Sequence, residues 1–189
     1  MRAHEFITEM SKKHWTTEQF MQWFNGSKIV DANGFPMVLY HGTESQFEAF
    51  QPSQRGSFGS GIYFGSDSRD ASGYGSHIIA AYIRMVRPYY TVADYDVGDD
   101  YDLDSPAIPM ILSMFNDKDE AMQYINSAKE GDGYFGREIQ NVLKGMGHDG
   151  IIAKYPDGSM EYVVFSPNQV KSAVENIGTY SIDSDEFRK

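Results

Sequence analysis

The sequence contains no cysteine. That excludes disulfides, thiolate metal sites and a cysteine nucleophile, and it leaves the redox compartment open. Cations are scarce, with 16 Lys and Arg against 27 Asp and Glu and a formal net charge of −11. Such a balance repels phosphate backbones, so broad nucleic-acid binding is not expected, and the acidity chiefly serves solubility. No apolar run approaches the ~20 residues of a membrane span, and no charged start leads into an apolar secretory core. No membrane partner is expected. A Gly-Lys-Ser/Thr phosphate loop is missing, as is a Gly-x-Gly-x-x-Gly after a strand.

Apolar residues make up 41% of the 189 and aromatics 14%. That is enough for one core and argues against disorder. Residues 59–75, GSGIYFGSDSRDASGYG, organise the rest. Gly59 and Gly61 allow a sharp turn and a close approach to a ligand, since no Cβ stands in the way. Ile62, Tyr63 and Phe64 form a short strand-like run. Ser66-Asp67 then caps a helix over residues 68–74. Tyr74 lies about three helical turns beyond Tyr63. A strand packed beside its following helix brings both rings to one slot for a flat aromatic ring.

These residues carry a family resemblance. The stretch resembles the strand and helix of the poly(ADP-ribose) polymerase and diphtheria-toxin class of ADP-ribosyltransferases, in which a Gly-x-Gly-Ile-Tyr-Phe run precedes a second tyrosine. Upstream, Tyr40-His41-Gly42-Thr43 fits the same class. Downstream, so do Glu161-Tyr162-Val163-Val164-Phe165 and Gln169-Val170. Together they give a His–Tyr–Glu triad in the expected chain order. The resemblance implies NAD as substrate, with nicotinamide stacked between Tyr63 and Tyr74 and its amide held by Gly42. His41, beside Thr43, would hold the adenine-side ribose. Glu161 would hold the 2′-hydroxyl of the other ribose.

The implied reaction develops oxocarbenium character at the anomeric carbon. Nicotinamide leaves neutral from a cationic ring, so no metal is expected. The protein must position the dinucleotide and place negative charge near the developing cation, and Glu161 fits that need. Catalysis is thus assigned to Glu161, His41 and Tyr63. Two places depart from the family. Ala71 stands where a serine often holds the carboxamide, and the adjacent Ser72 is its substitute. Ser159 stands two residues before Glu161, so the acceptor-selecting acid of arginine-modifying relatives is missing. The expected activity is mono-ADP-ribosylation of a host macromolecule, a protein for preference. The alternatives are an NAD glycohydrolase or a non-catalytic virion or NAD-binding protein.

Elsewhere the chain reads as support. Thr16 or Thr17 opens a helix whose face is Phe20, Met21, Trp23 and Phe24, stopped at Asn25-Gly26. Residues 28–30 pair with a strand over 37–41 across an Asn-Gly turn, placing His41 at that strand's end. Residues 51–58 read either as a lid over a dinucleotide or as a plain connector. Their one cation, Arg55, would meet the pyrophosphate. Residues 77–86 form a long apolar strand, and 89–92 a second short one. Six aspartates within residues 94–104 read as a solvated acidic loop, since the spacing fails a calcium loop. Short helices fill residues 106–115, 119–129 and 134–146, the last with Ile139, Val142 and Leu143 inward. A hairpin returns through residues 154–160 to the strand carrying Glu161, and residues 170–174 form a last strand.

Many short strands around a helical insertion, together with the resemblance, predict an α+β fold. Its core would be an ADP-ribosyltransferase-like split β-sheet with a central NAD cleft and peripheral helices. The transferase domain would span residues 10–175, with N-terminal helices over 10–26. A surface or frayed tail would follow over 176–189. Residues 1–9, MRAHEFITE, resemble the capsid-targeting leaders of T-even-type phage internal head proteins, with Ile7-Thr8-Glu9 as the cleavage site. That implies a virion and then host cytoplasmic location, and otherwise a cytoplasmic one.

Overall fold

Short oxygen side chains decide where several helices begin. Thr17 accepts from the Phe20 amide and starts α1 (Glu18–Phe24). Asp67 and Asp117 do the same for α2 (Ser68–Ala71) and α5 (Lys118–Lys129). Each satisfies amides that have no partner within the helix, at about 1 kcal/mol per cap. The computed structural model describes residues 15–189. The leader reading of residues 1–9, and the helix expected over 10–14, lie outside them. The chain divides into two compact units.

The first unit holds the described residues up to Gln51, with Ile62–Arg87 and Ser166–Lys189. Its strands run in the order β2 (Ile62–Gly65), β1 (Leu39–Thr43), β3 (His77–Ile83) and β7 (Val170–Ser172), all antiparallel. The expected pairing of residues 28–30 is present, as Val30 bridges Pro36 and the Met37 amide donates to Ile29 O. The strand that follows sits further along than the apolar run suggested. Gly42 and Thr43 pair with Ile78 and His77, so β1 continues past His41, which lies mid-strand and not at its end.

Phe20, Trp23 and Phe24 are buried under α1, whereas Met21 is 55% exposed and drops out of the expected face. Phe20 packs edge-on against Tyr82 and Tyr180 at 4.8 and 5.1 Å. Tyr180 belongs to the segment read as a surface or frayed tail. Most of that segment does lie at the surface, but it is tied down and not frayed. Phe187 is 1% exposed and lies 5.2 Å from the Phe50 ring, and Ala49 bridges Glu186. The Lys171 ammonium is fully buried and donates to Ser184 O and Glu186 O at 2.7 and 3.2 Å. Burial lowers its pKa to about 8 against the opposing pull of Asp185 and Glu186. Burying a phenylalanine is worth about 1.5–3 kcal/mol, enough to hold such a segment down.

The second unit holds Pro52–Gly61 and Pro88–Phe165. Here β4 (Pro88–Val92) pairs parallel with β5 (Gly150–Lys154), and β5 pairs antiparallel with β6 (Met160–Val164). A parallel pair needs a long crossover. Four helices supply it: α3 (Tyr95–Asp99), α4 (Ile108–Met114), α5 and α6 (Arg137–Gly145). Pro109 sits in the first turn of α4, where a missing N–H is harmless. On α6, Ile139 and Leu143 are buried, and Val142 is half-buried.

The aspartate-rich stretch is not a plain loop. Asp94 caps α3 by accepting from the Asp96 amide. The acids beyond it turn back through Leu103 N–H to Gly98 O. The α+β class is as expected, with peripheral helices present, and within each unit the pairing is antiparallel except between β4 and β5.

Candidate functional site

The first unit brings His41, Gly42, Thr43 and the turn bearing Tyr74 together, because β1 lies against α2 and the 3-10 turn Ser72–Tyr74. Gly42 is the point of contact. A Cβ there would stand 1.8 Å from Ala71 O and 3.2 Å from the Tyr74 Cβ, so any side chain would push the turn away. Gly75 closes the other side, where a Cβ would meet the Thr43 carbonyl carbon at 2.2 Å. Tyr74 is 76% exposed, and Tyr63 is half-buried in β2. Thr43 Oγ1 accepts from the Ser45 amide at 3.1 Å. Ser72 Oγ donates to Arg69 O at 2.6 Å.

His41 is held on two sides. Its Nδ1 lies 2.8 Å from Tyr63 O, and its ring meets Phe50 and Phe64 at 5.1 and 5.5 Å. A carbonyl only accepts, so Nδ1 carries the proton. Burial lowers the imidazole pKa below its usual value, more than the Tyr63 bond raises it, so the neutral ring is favoured. In that tautomer Nε2 is an acceptor, suited to a hydroxyl donor.

Glu161 belongs to the second unit, on β6 opposite Ala153 of β5. Its side chain is half-buried, and burial raises its pKa. Against that, Tyr155 O–H donates to Oε2 at 2.9 Å. Tyr155 is a residue that reading the sequence missed. Its signal was there: six positions apart across a short turn, both residues point to one face of the hairpin and lie diagonally within an aromatic ring's reach.

Arg55 is in the second unit too, exposed, with Nη2 donating to Tyr134 O at 3.0 Å. Its guanidinium packs where a Gly131 Cβ would otherwise sit. Residues 52–61 are stitched down and do not form a loose flap. Ser53 N–H donates to Gly61 O, Gly56 and Phe135 exchange backbone bonds, and Phe58 is fully buried. The two glycines read as approaching a ligand meet protein instead. A Cβ at Gly61 would lie 2.3 Å from Val163 Cγ1, and one at Gly59 would meet Gly136 O at 3.0 Å. Among the described residues no group of three or more His, Asp or Glu is placed to hold a metal ion.

A family model of the ADP-ribosyltransferases found in polyvalent proteins matches residues 31–180. The chain belongs to that family. The matched span takes in His41, Tyr63, Tyr74, Tyr155 and Glu161. Among curated proteins nothing matches this ADP-ribosyltransferase. Among solved structures it is similar to one described as the crystal structure of an anti-CRISPR protein. The two are 19% identical, over 68% of this chain and 89% of that one, with a TM-score of 0.36.

The chemistry open to this ADP-ribosyltransferase at His41 and Glu161 follows from the half-burial of each. A neutral imidazole with a free acceptor nitrogen can take a hydrogen bond from a sugar hydroxyl. A carboxylate whose pKa is raised by burial is a stronger base than one in water, and it concentrates negative charge where little solvent screens it.

Proposed function

We propose that this ADP-ribosyltransferase is of the His–Tyr–Glu class and moves a single ADP-ribose unit from NAD to a host protein, releasing nicotinamide. His41 Nε2 accepts from a hydroxyl of the adenine-side ribose. Tyr63 and Tyr74 stack on nicotinamide, Gly42 holds its amide through the backbone, and Thr43 and Ser72 add hydroxyls nearby. Arg55 meets the pyrophosphate. Glu161 accepts from the 2′-hydroxyl of the nicotinamide-side ribose. The bond between the anomeric carbon and the ring nitrogen breaks, and its electron pair goes to nicotinamide. The acceptor's nucleophilic atom bonds the anomeric carbon, and its proton passes to the Glu161 carboxylate.

The observation that carries this reading is the locked His41 ring, with Nδ1 on Tyr63 O and Nε2 left to accept. The test is incubation with NAD labelled in its adenylate, with and without host lysate. Label in protein and release of nicotinamide are expected. Free ADP-ribose without labelled protein would make the enzyme a glycohydrolase, and intact NAD would end the reading.

The location proposed is a phage head and afterwards the host cytoplasm, with cleavage after Glu9. Ile7-Thr8-Glu9 is its support. Mass spectrometry of purified particles should find a chain beginning at Met10, and absence from the particle would leave a cytoplasmic enzyme.

A further inference from the structure

The hairpin that carries Glu161 also holds the hydroxyl that donates to it. We propose that Tyr155 is a positioning residue for Glu161, whose hydroxyl fixes Oε2 so that Oε1 is the oxygen presented to substrate. This rests on the reading of Glu161 given above and extends it.

The geometry that supports it is local and well tied. Tyr155 follows β5 directly, and its backbone is held twice, with N–H donating to Ser159 O and the carbonyl accepting from Gly158 N–H, both at 3.0 Å. The turn between is itself braced, because Asp157 Oδ1 accepts from the Ser159 amide and hydroxyl at 2.8 and 2.7 Å. The Tyr155 ring lies 6.5 Å from that of Tyr95 on α3. That helix is anchored by the Ala93 amide on Lys154 O and by the Asp94 amide on Pro106 O. A tyrosine needs only two torsions to be fixed, and here its backbone is pinned and its ring has an aromatic neighbour. Its hydroxyl therefore reaches Glu161 at little further entropic cost. Glu161, by contrast, has three rotatable bonds and no other hydrogen-bond partner among the described residues.

Charge from elsewhere does not do this work. Lys154 stands opposite Met160 at the end of the ladder and is exposed, Asp157 is exposed at the turn, and Asp94 and Asp96 lie on the Tyr95 side. No cation among the described residues pairs with Glu161, and its protonation is governed by burial and by the Tyr155 bond. The tyrosine bond favours the charged form, so removing it leaves burial unopposed. The carboxyl then holds its proton to higher pH.

The experiment is the pH profile of nicotinamide release from NAD in wild type, Tyr155→Phe and Glu161→Gln, on the full chain. Phenylalanine keeps the ring against Tyr95, and thermal unfolding checks that the variant folds. Loss of a hydrogen bond to a charged group predicts a fall in kcat of roughly tenfold to a hundredfold near neutral pH, with the KM for NAD little changed. The acid limb of kcat should move to higher pH by about one unit. A merely structural tyrosine would lower the yield of folded protein and leave that limb in place. An unmoved limb in a folded Tyr155→Phe, with Glu161→Gln inactive, overturns this proposal and leaves the role of Glu161 standing. Full activity in Glu161→Gln overturns the reading beneath it. A change confined to the protein acceptor's KM, with hydrolysis by water untouched, would make Tyr155 an acceptor contact and also overturns the proposal.

Discussion

His41 and Glu161 are both half-buried and both shifted toward neutrality by burial, yet they are secured differently. His41 is bonded to a main-chain carbonyl and ringed by Phe50 and Phe64. Its orientation is built into the strand pairing and the aromatic core, and no single side-chain hydroxyl controls it. Glu161 is bonded to a side chain at the end of a hairpin. The difference suits the proposed roles. A ribose grip must stay fixed, whereas a charge that meets a developing cation must be tuned, and a side-chain donor tunes a carboxylate without remaking the fold.

That contrast can be broken most severely at the carboxylate. Glu161→Gln keeps the shape and can still accept from Tyr155, so NAD binding should persist while transfer falls on the order of a thousandfold. Turnover assays paired with NAD titration measure both. On the histidine side the corresponding break goes through packing. Phe50 is 2% exposed and touches the rings of His41, Phe47, Phe64 and Phe187. Phe50→Ala should cost about 3 kcal/mol in urea unfolding and weaken NAD binding with it, since the ring behind His41 is gone. A variant that loses stability but binds NAD normally would show that the aromatic cluster does not orient the imidazole.

A smaller effect is expected at the exposed ring. Tyr74→Ala should weaken NAD binding by about 1–3 kcal/mol, as for a base losing one stacking face, and leave thermal stability near wild type. Equal affinity would remove Tyr74 from the nicotinamide site.

The smallest effect is in how stability varies with pH, where the two groups have opposite signs. The folded pKa of His41 is lowered from 6.5, so its contribution is present above that value and is lost as pH falls through the folded pKa. The folded pKa of Glu161 is raised from 4.5, so its contribution is present below that value and is lost as pH rises through the folded pKa. Glu161→Gln should therefore raise the unfolding midpoint at pH 7, with the gain shrinking toward pH 4. His41→Asn should flatten the loss of stability below pH 6.5. Midpoints that move in parallel at all pH values would contradict both assignments.

How far the sequence could be read depends on the range of the force involved. The helix starts at Thr17, Asp67 and Asp117 were legible because a cap acts on amides two or three residues away. Only the first two were named from the sequence, but all three follow one local rule. The hairpin at residues 154–160 and the apolar strand that became β3 were legible for the same reason, since turn chemistry and an unbroken apolar run are written along the chain. The triad order His41, Tyr63, Glu161 could be listed from motifs. The sequence also determined that no thiol chemistry is available and that the molecule is strongly acidic.

Tertiary structure decided what depends on distant partners. The closing segment looks polar from its composition, but Phe187 finds Phe47 and Phe50, and the Arg188 Nη1 reaches Phe47 O across 141 positions. Two aromatics among acids carry no periodic signal, so nothing local marked that segment as held. Gly59 and Gly61 promised close approach, and only packing showed that Gly136 and Val163 are what approach them. The tautomer of His41 came from a carbonyl 22 residues away. The protonation of Glu161 came from burial and from a tyrosine whose side chain reaches it only once the hairpin closes. Residue types are fixed by the chain alone, but a proton's affinity depends on solvent exclusion and on which donors converge, and folding sets both.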